Sequence, residues 1–315
     1  MAPLLAIVGP TCTGKTGLAV QLARLLAPAE LINADSRQVV RGLRVGTCAP
    51  SSEELQGVPC HLLGVRDPGE PYTAADWVSG ARHVLDELDA HGALGVVVGG
   101  TWLYVTALVD GLDFGSTAPS VEVRAARDRQ AAEPGGLAGL AAELRRRDPE
   151  GGSMVDLRNP RRVVRALEIL DAHPEGLARA RGRGSGREAV LLGLDLPADV
   201  HREWIERRAS RMFESGALIK EVQQARARGV DDETLAGCGI GYAEAIDVLE
   251  GRLGEVEACA AITRRTLRYA RSQRSYWRRD QRVEWLDPRE MDAAALAQRL
   301  GQRLGRQVST GWRAL

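Results

Sequence analysis

Eight consecutive residues near the start of the chain have the types and the spacing that bind linked phosphates. They read Gly9-Pro-Thr-Cys-Thr-Gly-Lys-Thr16 and match the pattern G-x-x-x-x-G-K-[S/T] in full. In such a loop the backbone N–H groups surround two phosphates, the lysine adds a positive charge, and the last hydroxyl can bind Mg²⁺. The sequence therefore predicts a diphosphate site with Mg²⁺ as cofactor and Thr16 as its ligand. The site comprises Gly9, Pro10, Thr11, Cys12, Thr13, Gly14, Lys15 and Thr16.

One carboxylate is placed to take part in chemistry beside this loop. Enzymes that hydrolyse nucleoside triphosphates usually hold Mg²⁺ with a carboxylate at the end of a neighbouring strand. Here the apolar run Val96–Val98 is followed by Gly-Gly-Thr101, and the carboxylate that does end a strand candidate is Asp35. Asp35 is a candidate for three roles: a helper of the metal, a general base, and a cap of the following turn. Thr101 has the position of a helix N-cap.

Buried strands must hold these groups in place. The runs Leu4–Val8, Glu30–Ala34 and Val96–Val98 are mostly apolar and of strand length, and the first and the last precede helical segments. Strand, loop and helix in this order are typical of an α/β domain. Because ligands of open parallel sheets bind outside the carboxyl ends of the strands, we expect the loops after these three runs to converge on one site.

The composition changes in the middle of the chain and then returns to an α/β pattern. A stretch rich in Arg, Glu, Ala and Gly contains one strong helix pattern, Arg161–Leu170, and ends in a Gly/Arg-rich linker at 178–187. Strand candidates follow at Val190–Leu194 and Val283–Leu286. The predicted fold is α/β, a P-loop NTPase-like core with a parallel sheet and an inserted, mostly helical domain. The core covers residues 1–117 and 188–315, and the insertion covers 118–187.

Length and composition exclude several classes of protein. A chain of 315 residues has room for about two domains. With 44% hydrophobic residues, 27% charged residues and a formal charge of zero, the chain is typical of folded globular proteins. The five cysteines form no C-x-x-C pair, which argues against a zinc site or a disulfide framework. Few cysteines, odd in number, also favour a reducing cytoplasm. Since no stretch approaches a membrane span in length, we expect no membrane contact.

A helical pattern near the C-terminus has one basic face. At about 100° per residue, five arginines fall on one stripe, and apolar residues such as Ile262 and Trp277 fall on the other side. Solvated faces usually alternate in sign, whereas here the acid in the stretch, Asp280, lies off the stripe. The pattern predicts binding to nucleic-acid phosphates, with a merely solvated face as the alternative. The arginines are Arg264, Arg268, Arg271, Arg278 and Arg282.

Eight segments spread over nearly the whole chain carry motifs, and these segments are Gly9–Thr16, Ile32–Gln38, Arg41–Thr47, Val58–His61, Val98–Tyr104, Arg161–Glu168, Gly239–Tyr242 and Thr263–Gln273. Taken in this order, they resemble the motifs of bacterial tRNA dimethylallyltransferases. That family attaches an isopentenyl-type group to the exocyclic N6 of the adenosine next to the anticodon, at tRNA position 37.

The resemblance implies a prenyl transfer in which the P-loop holds a leaving group. The donor, dimethylallyl pyrophosphate, departs as pyrophosphate, so the carboxylate of a hydrolytic enzyme is not needed. Asp35 is then the candidate base that takes the proton of the amine. Thr101 lies at the reaction centre, and Arg208 contacts the pyrophosphate. Trp204 replaces the first arginine of the family's R-I-x-x-R-x-x-x-M helix, which leaves Arg207 as the alternative to Arg208.

The resemblance also implies the partners, which are dimethylallyl pyrophosphate and the anticodon stem-loop of tRNA. We expect no membrane partner and a monomer. Ala49 replaces a lysine common in the family, and Asp156-Leu-Arg-Asn159 replaces its usual H-P-N-D. The glycine-rich segment 238–242 has a plain turn as its alternative. The implied tRNA contacts are Asp35, Ser36, Arg37, Gln38, Arg124, Arg161, Arg162, Arg165, Cys238, Gly239, Ile240, Gly241, Tyr242, Arg264, Arg268 and Arg271.

Two other functions stay open at the level of the sequence. A small-molecule or nucleoside kinase would use the P-loop for ATP and would not need the basic helix. A non-catalytic, nucleotide-gated RNA-binding protein would not need Asp35 and Thr101 to face the P-loop.

Overall fold

A parallel sheet forms the core of the larger of two compact units. The computed structural model describes residues 2–112, 121–177, 187–214 and 216–308. The strands are β1 (Leu4–Val8), β2 (Ala29–Asn33), β3 (Cys60–His61), β4 (Leu94–Val98), β5 (Ala189–Leu194) and β6 (Val283–Leu286). They lie in the order β3-β2-β4-β1-β5-β6, and every pairing is parallel. The predicted α/β class is confirmed.

The strands are buried in the way that a parallel sheet requires. Every residue of β1 and of β4 is buried, which is why their sequences are continuous apolar runs rather than alternating ones. All five predicted strands are present, and β2 begins and ends one residue before the predicted Glu30–Ala34. The sequence pattern does not predict β3, because its two residues are too few to show a period.

Fourteen helices complete the described part of the chain. None of these helices is both long and apolar enough to cross a membrane. They are α1 (Lys15–Leu25), α2 (Ser52–Leu55), α3 (Ala74–Ala90), α4 (Trp102–Val109), α5 (Val121–Ala132), α6 (Gly136–Arg147), α7 (Pro149–Ser153), α8 (Pro160–Ala172), α9 (Ala198–Glu214), α10 (Ala217–Ala227), α11 (Asp232–Cys238), α12 (Tyr242–Leu249), α13 (Glu255–Trp277) and α14 (Ala293–Leu304).

Helices α1 and α14 share one hydrophobic cluster with the sheet. Leu18 and Leu22 of α1 and Leu296 and Leu300 of α14 pack there with buried residues of β1, β4 and β5. Each fully buried leucine contributes roughly 1.5–3 kcal/mol to folding. The start of α1 and the end of β1 are therefore both fixed by the core, and so is the phosphate-binding loop that joins them.

The carboxyl ends of β2, β4 and β1 lie side by side, so the predicted convergence of their loops is confirmed. Backbone hydrogen bonds continue the pairing past the strand ends. Ala34 N donates to Val98 O at 2.7 Å, and Gly99 N donates to Ile7 O at 3.1 Å. Thr101 N then donates to Ala34 O at 3.1 Å. The three loops consequently start from one rigid framework.

Residues 106–186 form the second compact unit, and its described part is helical, as predicted for the insertion. Helices α6 and α8 pack through Leu144 and Leu167, and α8 covers the helix predicted at Arg161–Leu170. The bounds predicted for the insertion, 118–187, stay a prediction. Residues 113–120 and most of the Gly/Arg-rich linker lie outside the described residues.

The close approach of the β2 and β4 ends makes Gly99 sensitive to substitution. A Cβ at this position would lie 2.2 Å from the carbonyl carbon and oxygen of Ala34, and these backbone atoms cannot move away without breaking the pairing. We expect Gly99→Ala to lower the free energy of unfolding by about 3 kcal/mol. Gly17→Ala is the control, because Gly17 is exposed in α1 with no atom within 4 Å of an added Cβ. It should raise stability by up to about 1 kcal/mol. Urea unfolding of both variants checks this, and equal midpoints for Gly99→Ala and the parent would contradict it.

Candidate active site

The phosphate-binding loop has the backbone conformation of a tight cradle. Gly9, Cys12 and Gly14 have positive φ values of 124°, 61° and 80°. The hydroxyl of Thr13 donates to the carbonyl of Pro10 at 2.9 Å, which closes the loop from within. A side chain at Gly9 would collide with the carbonyl oxygen of Leu194, 2.3 Å from an added Cβ. Glycine at that position is therefore a steric requirement of the packing of β1 against β5.

Lys15, the first residue of α1, is held over the loop and donates to the carbonyl of Pro10. Burial lowers its pKa to about 8, since the charged ammonium loses hydration, and the negative charge of Asp35 only partly opposes this. Arg208 nearby lowers the pKa further. Lys15 is thus a cation at neutral pH, and a bound anion would further stabilise its protonated form.

A second cation reaches the loop from α9. Arg208 Nη1 donates to Thr11 Oγ1 at 3.0 Å and to Cys12 Sγ at 2.8 Å. Arg207, its sequence neighbour, is exposed and forms an ion pair with Glu203. The sequence left Arg207 and Arg208 as candidates. In the structure Arg208 reaches the loop, whereas Arg207 pairs with Glu203 at the surface.

Two buried polar residues at the loop were not predicted. His201 Nε2 lies 2.8 Å from Thr11 O, and Gln273 Oε1 accepts from Thr11 N at 2.8 Å. Gln273 also donates to Gly100 O at 3.2 Å, so it joins the loop after β1 to the loop after β4. The available signal was a polar side chain on the apolar side of a helix pattern. A polar group that is buried there needs a hydrogen-bond partner.

His201 is neutral and oriented by a charged neighbour. Arg274 Nη2 donates to its Nδ1 at 2.9 Å, which assigns the proton to Nε2 and makes Nε2–H the donor to Thr11. Burial lowers the pKa of His201, in agreement with a neutral ring. Asp195 accepts from the same Arg274 at 2.7 Å, which neutralises that guanidinium.

The segment after β2 carries the predicted catalytic carboxylate. Asp35 is half-buried, and its Oδ1 accepts from Arg37 N at 2.9 Å, so it caps the following turn as one of its predicted roles requires. Thr101 Oγ1 accepts from Ser36 N at 3.0 Å and ties this segment to the end of β4. Gln38 donates to Cys48 O at 2.8 Å and also belongs to this wall of the site.

Two adjoining cavities share Thr11, Asp35 and Arg208. The first is polar, and besides the shared residues it is lined by residues 12–17 and by Gln38, Cys48, Glu54, Val98 and Gly99. The second is the more apolar of the two. Besides the shared residues it is lined by Ile205, Ala209, Met212, Ile240, Ile262, Thr266 and Tyr269, together with Arg37, Gly46 and Thr47. Asp35 and Arg208 therefore stand where a charged compartment meets a hydrophobic one.

The glycine-rich segment 238–242 is largely buried in this structure, and the predicted tRNA contact of Tyr242 stays a prediction. Tyr242 is fully buried, and its hydroxyl donates to Glu221 at 2.7 Å. Burial and the Glu221 carboxylate raise the pKa of Tyr242. Glu221 also accepts from the backbone N–H groups of residues 44–46. Cys238, Gly239 and Gly241 are buried too, whereas Ile240 lines the apolar cavity.

The basic stripe of α13 is shorter than predicted. Arg264, Arg268 and Arg271 are exposed on one face of the helix. The helix ends at Trp277, so Arg278 and Arg282 lie beyond it, where Arg278 pairs with Asp195 at 3.0 Å and Arg282 pairs with Asp280. The predicted continuous pattern was wrong here because these last arginines lie in the turns between α13 and β6.

In the second unit, several predicted tRNA contacts are held by carboxylates. Arg124 donates through two nitrogens to the buried Glu168, each at 2.7 Å, and Arg165 donates to the same carboxylate at 3.2 Å. Burial raises the pKa of Glu168, but these hydrogen bonds outweigh it and lower the pKa below its usual value. Arg162 lies 3.7 Å from Asp156. Arg161 is exposed.

Two family models match the chain. The model described as IPP transferase matches residues 38–280, and the model described as isopentenyl transferase matches residues 2–67. A tRNA dimethylallyltransferase of Thermobifida fusca is 42% identical over 291 residues, which are 91% of this chain and 90% of the relative. One of Corynebacterium jeikeium is 36% identical over 296 residues, 93% of this chain and 94% of the relative.

Solved structures agree with these sequence matches. The tRNA isopentenylpyrophosphate transferase of Bacillus halodurans has a TM-score of 0.70 at 33% identity, with 97% of each chain covered. A eukaryotic dimethylallyltransferase acting on tRNA has a TM-score of 0.78, with 99% of this chain and 82% of that chain covered. At 21% identity the second likeness concerns the fold alone. The predicted P-loop NTPase-like core is confirmed.

The lowered pKa of Lys15 predicts how binding of a diphosphate depends on pH. Below about pH 8 the ammonium is charged and affinity for methyl diphosphate should be constant. Above it, affinity should fall by up to about tenfold per pH unit, because the anion must then bring a proton with it. Isothermal titration from about pH 7 to about pH 10 measures this. Lys15→Arg is the matched control, since a guanidinium stays charged throughout and should bind with little pH dependence. A flat profile for the parent would contradict the prediction.

Proposed function

This chain belongs to the IPP transferase family of tRNA dimethylallyltransferases, and we propose that its two adjoining cavities hold the two ends of dimethylallyl pyrophosphate beside the acceptor adenosine. The enzyme transfers the dimethylallyl group to the N6 amine of adenosine 37 in tRNA and releases pyrophosphate. One observation carries the assignment of the site: the P-loop cavity meets the apolar cavity at Asp35 and Arg208. The polar cavity then holds the pyrophosphate and the apolar cavity holds the short hydrocarbon chain. The base for the amine lies between them.

The polar cavity has the groups that a pyrophosphate leaving group needs. The N–H groups of the loop, the Lys15 ammonium and the Arg208 guanidinium all border it. As the C1–O bond breaks, negative charge accumulates on the pyrophosphate, and these fixed donors stabilise that charge. The Thr16 hydroxyl in the same cavity fits the role of a Mg²⁺ ligand, because Mg²⁺ in such sites binds few protein oxygens together with phosphates and water. When bound, Mg²⁺ would supply further neutralisation of the departing charge.

The apolar cavity suits the dimethylallyl group. Ile205, Met212 and Ile262 offer hydrocarbon and sulfur surfaces, and transfer of each CH₂ group from water to such a surface contributes about 0.8 kcal/mol. With the pyrophosphate on one side and the hydrocarbon on the other, C1 lies at the junction of the two cavities. Asp35 is part of that junction.

Asp35 acts as the general base toward the adenosine. The lone pair of the N6 amine is delocalised into the purine ring, so the amine is a weak nucleophile and its proton must leave as the N6–C1 bond forms. Asp35 Oδ1 is occupied by the N–H of Arg37, which orients the carboxylate so that Oδ2 receives the proton. Thr101 Oγ1 accepts from Ser36 N, so its hydroxyl proton is available to another acceptor, and the adenosine can be that acceptor. Pyrophosphate departs as the C1–O bond breaks.

The other two functions fit the site less well. A kinase of the hydrolytic P-loop type would have a metal-binding carboxylate after β4, where this chain has Gly99-Gly100-Thr101. A non-catalytic RNA-binding protein would give no reason for Asp35 to border the P-loop cavity. A direct assay separates the three. Radiolabelled dimethylallyl pyrophosphate with unmodified tRNA bearing adenosine 37 should yield labelled tRNA, whereas labelled ATP should transfer no phosphate. Phosphate transfer from ATP, or no transfer from either donor, would overturn the assignment.

Asp35→Asn tests the base while sparing the turn. The amide oxygen of asparagine can still accept from the N–H of Arg37, but asparagine cannot take up a proton at neutral pH. We expect single-turnover prenyl transfer to slow by about 10²–10⁴-fold, with tRNA affinity little changed. Asp67→Asn, at an exposed carboxylate paired with Arg41, is the control and should react like the parent. If the transfer rate of Asp35→Asn lies within about threefold of the parent rate, Asp35 is not the base.

The exposed face of α13 is proposed to bind the tRNA backbone. Replacing Arg264, Arg268 and Arg271 with Gln should weaken tRNA binding and reduce the slope of log affinity against log salt by up to about three, one for each phosphate contact. Filter binding at several salt concentrations measures the slope, and donor affinity should stay unchanged. The control carries Arg289, Arg299 and Arg303 changed to Gln, which removes the same charge from exposed positions near α14. If both triple variants reduce the slope equally, the α13 face has no special role.

A further inference from the structure

A partly exposed aromatic pair lies beside the active site and has no part in the chemistry described above. Trp102, the first residue of α4, stacks on Tyr276 of α13 with ring centroids 5.6 Å apart and planes inclined by 26°. The Trp102 residue keeps 36% of its surface accessible. Trp102 thus leaves about a third of its surface open to solvent, whereas Trp77 is fully buried. A stacked indole that is partly open in this way offers a surface for a flat ligand.

The pair is attached to the reaction centre from both sides. Trp102 follows Thr101 directly, and the preceding Gly100 accepts from Gln273 at 3.2 Å. Tyr276 lies three residues, one helical turn, after Gln273 on the same helix. The bond that closes the active site between β4 and α13 therefore also fixes the two elements that carry the aromatic rings.

Arginines lie near the pair, both on α13 and just beyond its end. The guanidinium carbon of Arg279 lies 5.7 Å from the centre of the Tyr276 ring. Arg268, two turns before Tyr276, lies on the adjoining exposed face with Arg264 and Arg271. Flat aromatic surface next to a track of arginines is the combination that single-stranded nucleic acids occupy, with bases on the rings and phosphates on the cations.

We propose that Trp102 and Tyr276 form a stacking platform for the anticodon-loop base next to the acceptor adenosine. The inference rests on the proposed function, because its ligand is the tRNA that presents the adenosine to Asp35. Taking the adenosine out of the loop stack leaves its neighbour with one exposed face. The indole replaces the lost stacking partner, and in this way the flipped arrangement is stabilised at the surface while the adenosine enters the site.

The test compares Trp102→Ala with Trp102→Phe on anticodon stem-loop RNA. Loss of the indole should weaken binding of the RNA about 5-fold to 100-fold, whereas phenylalanine should retain affinity to within about threefold because it still offers a ring. The KM for dimethylallyl pyrophosphate should stay as in the parent. Leu103→Ala, at the next exposed apolar residue of α4, is the matched control and should bind the RNA normally.

RNA variants distinguish stacking from a structural role. Two stem-loops each carry an abasic nucleotide on one side of the acceptor adenosine. If the platform holds one of these bases, Trp102→Ala should cost little affinity on the stem-loop that lacks it and the full amount on the other. An equal loss on all RNAs, or equal affinity of Trp102→Ala and the parent, would overturn the proposal. Prenyl transfer by the parent chain to the intact stem-loop tests the proposed function separately, so failure of the platform alone leaves that reaction unaffected.

Discussion

The arrangement of the site depends on Thr11, whose three polar groups are all held by the far half of the chain. Gln273 accepts from its N–H, His201 Nε2 donates to its carbonyl, and Arg208 donates to its hydroxyl. Thr11 is the third residue of the phosphate-binding loop, so α9 and α13 hold the loop in addition to the core, which fixes it through β1 and α1. Donors fixed before the substrate arrives stabilise developing charge without further reorganisation, which is how such loops favour a departing pyrophosphate.

Some of the positive charges near Thr11 are neutralised by partners and others are not. Arg274 is neutralised by Asp195 and in turn keeps His201 neutral, so neither adds positive charge to the loop. Arg208 and Lys15 remain the cations that border the polar cavity in the part of the chain that the structure describes. The polar cavity thus presents two directed positive charges, and Asp35, the proposed base, lies at its boundary with the apolar cavity.

Helix α13 joins the phosphate-binding loop to the face proposed to bind tRNA. Its buried side carries Gln273 and Trp277, and its exposed side carries Arg264, Arg268 and Arg271. A movement of this helix caused by RNA on one face would reach Thr11 through Gln273 on the other. The same residue bonds Gly100, next to Thr101, so the P-loop and the acceptor side are linked by one side chain.

The sequence by itself determined the parts whose signals are local. The glycine and lysine spacing of the P-loop, the fully apolar strands and the helical period of α13 each depend on neighbouring residues, and parallel topology then requires the loops after β1, β2 and β4 to meet. The tertiary structure decided which partner each polar side chain takes. Arg208 rather than Arg207 reaches the loop, Tyr242 turns inward to Glu221, and Arg124 pairs with Glu168. Because a charged or polar side chain can pair with any suitable group that folding brings near it, and because Gln273 and Thr11 are 262 residues apart, no local pattern contains that choice.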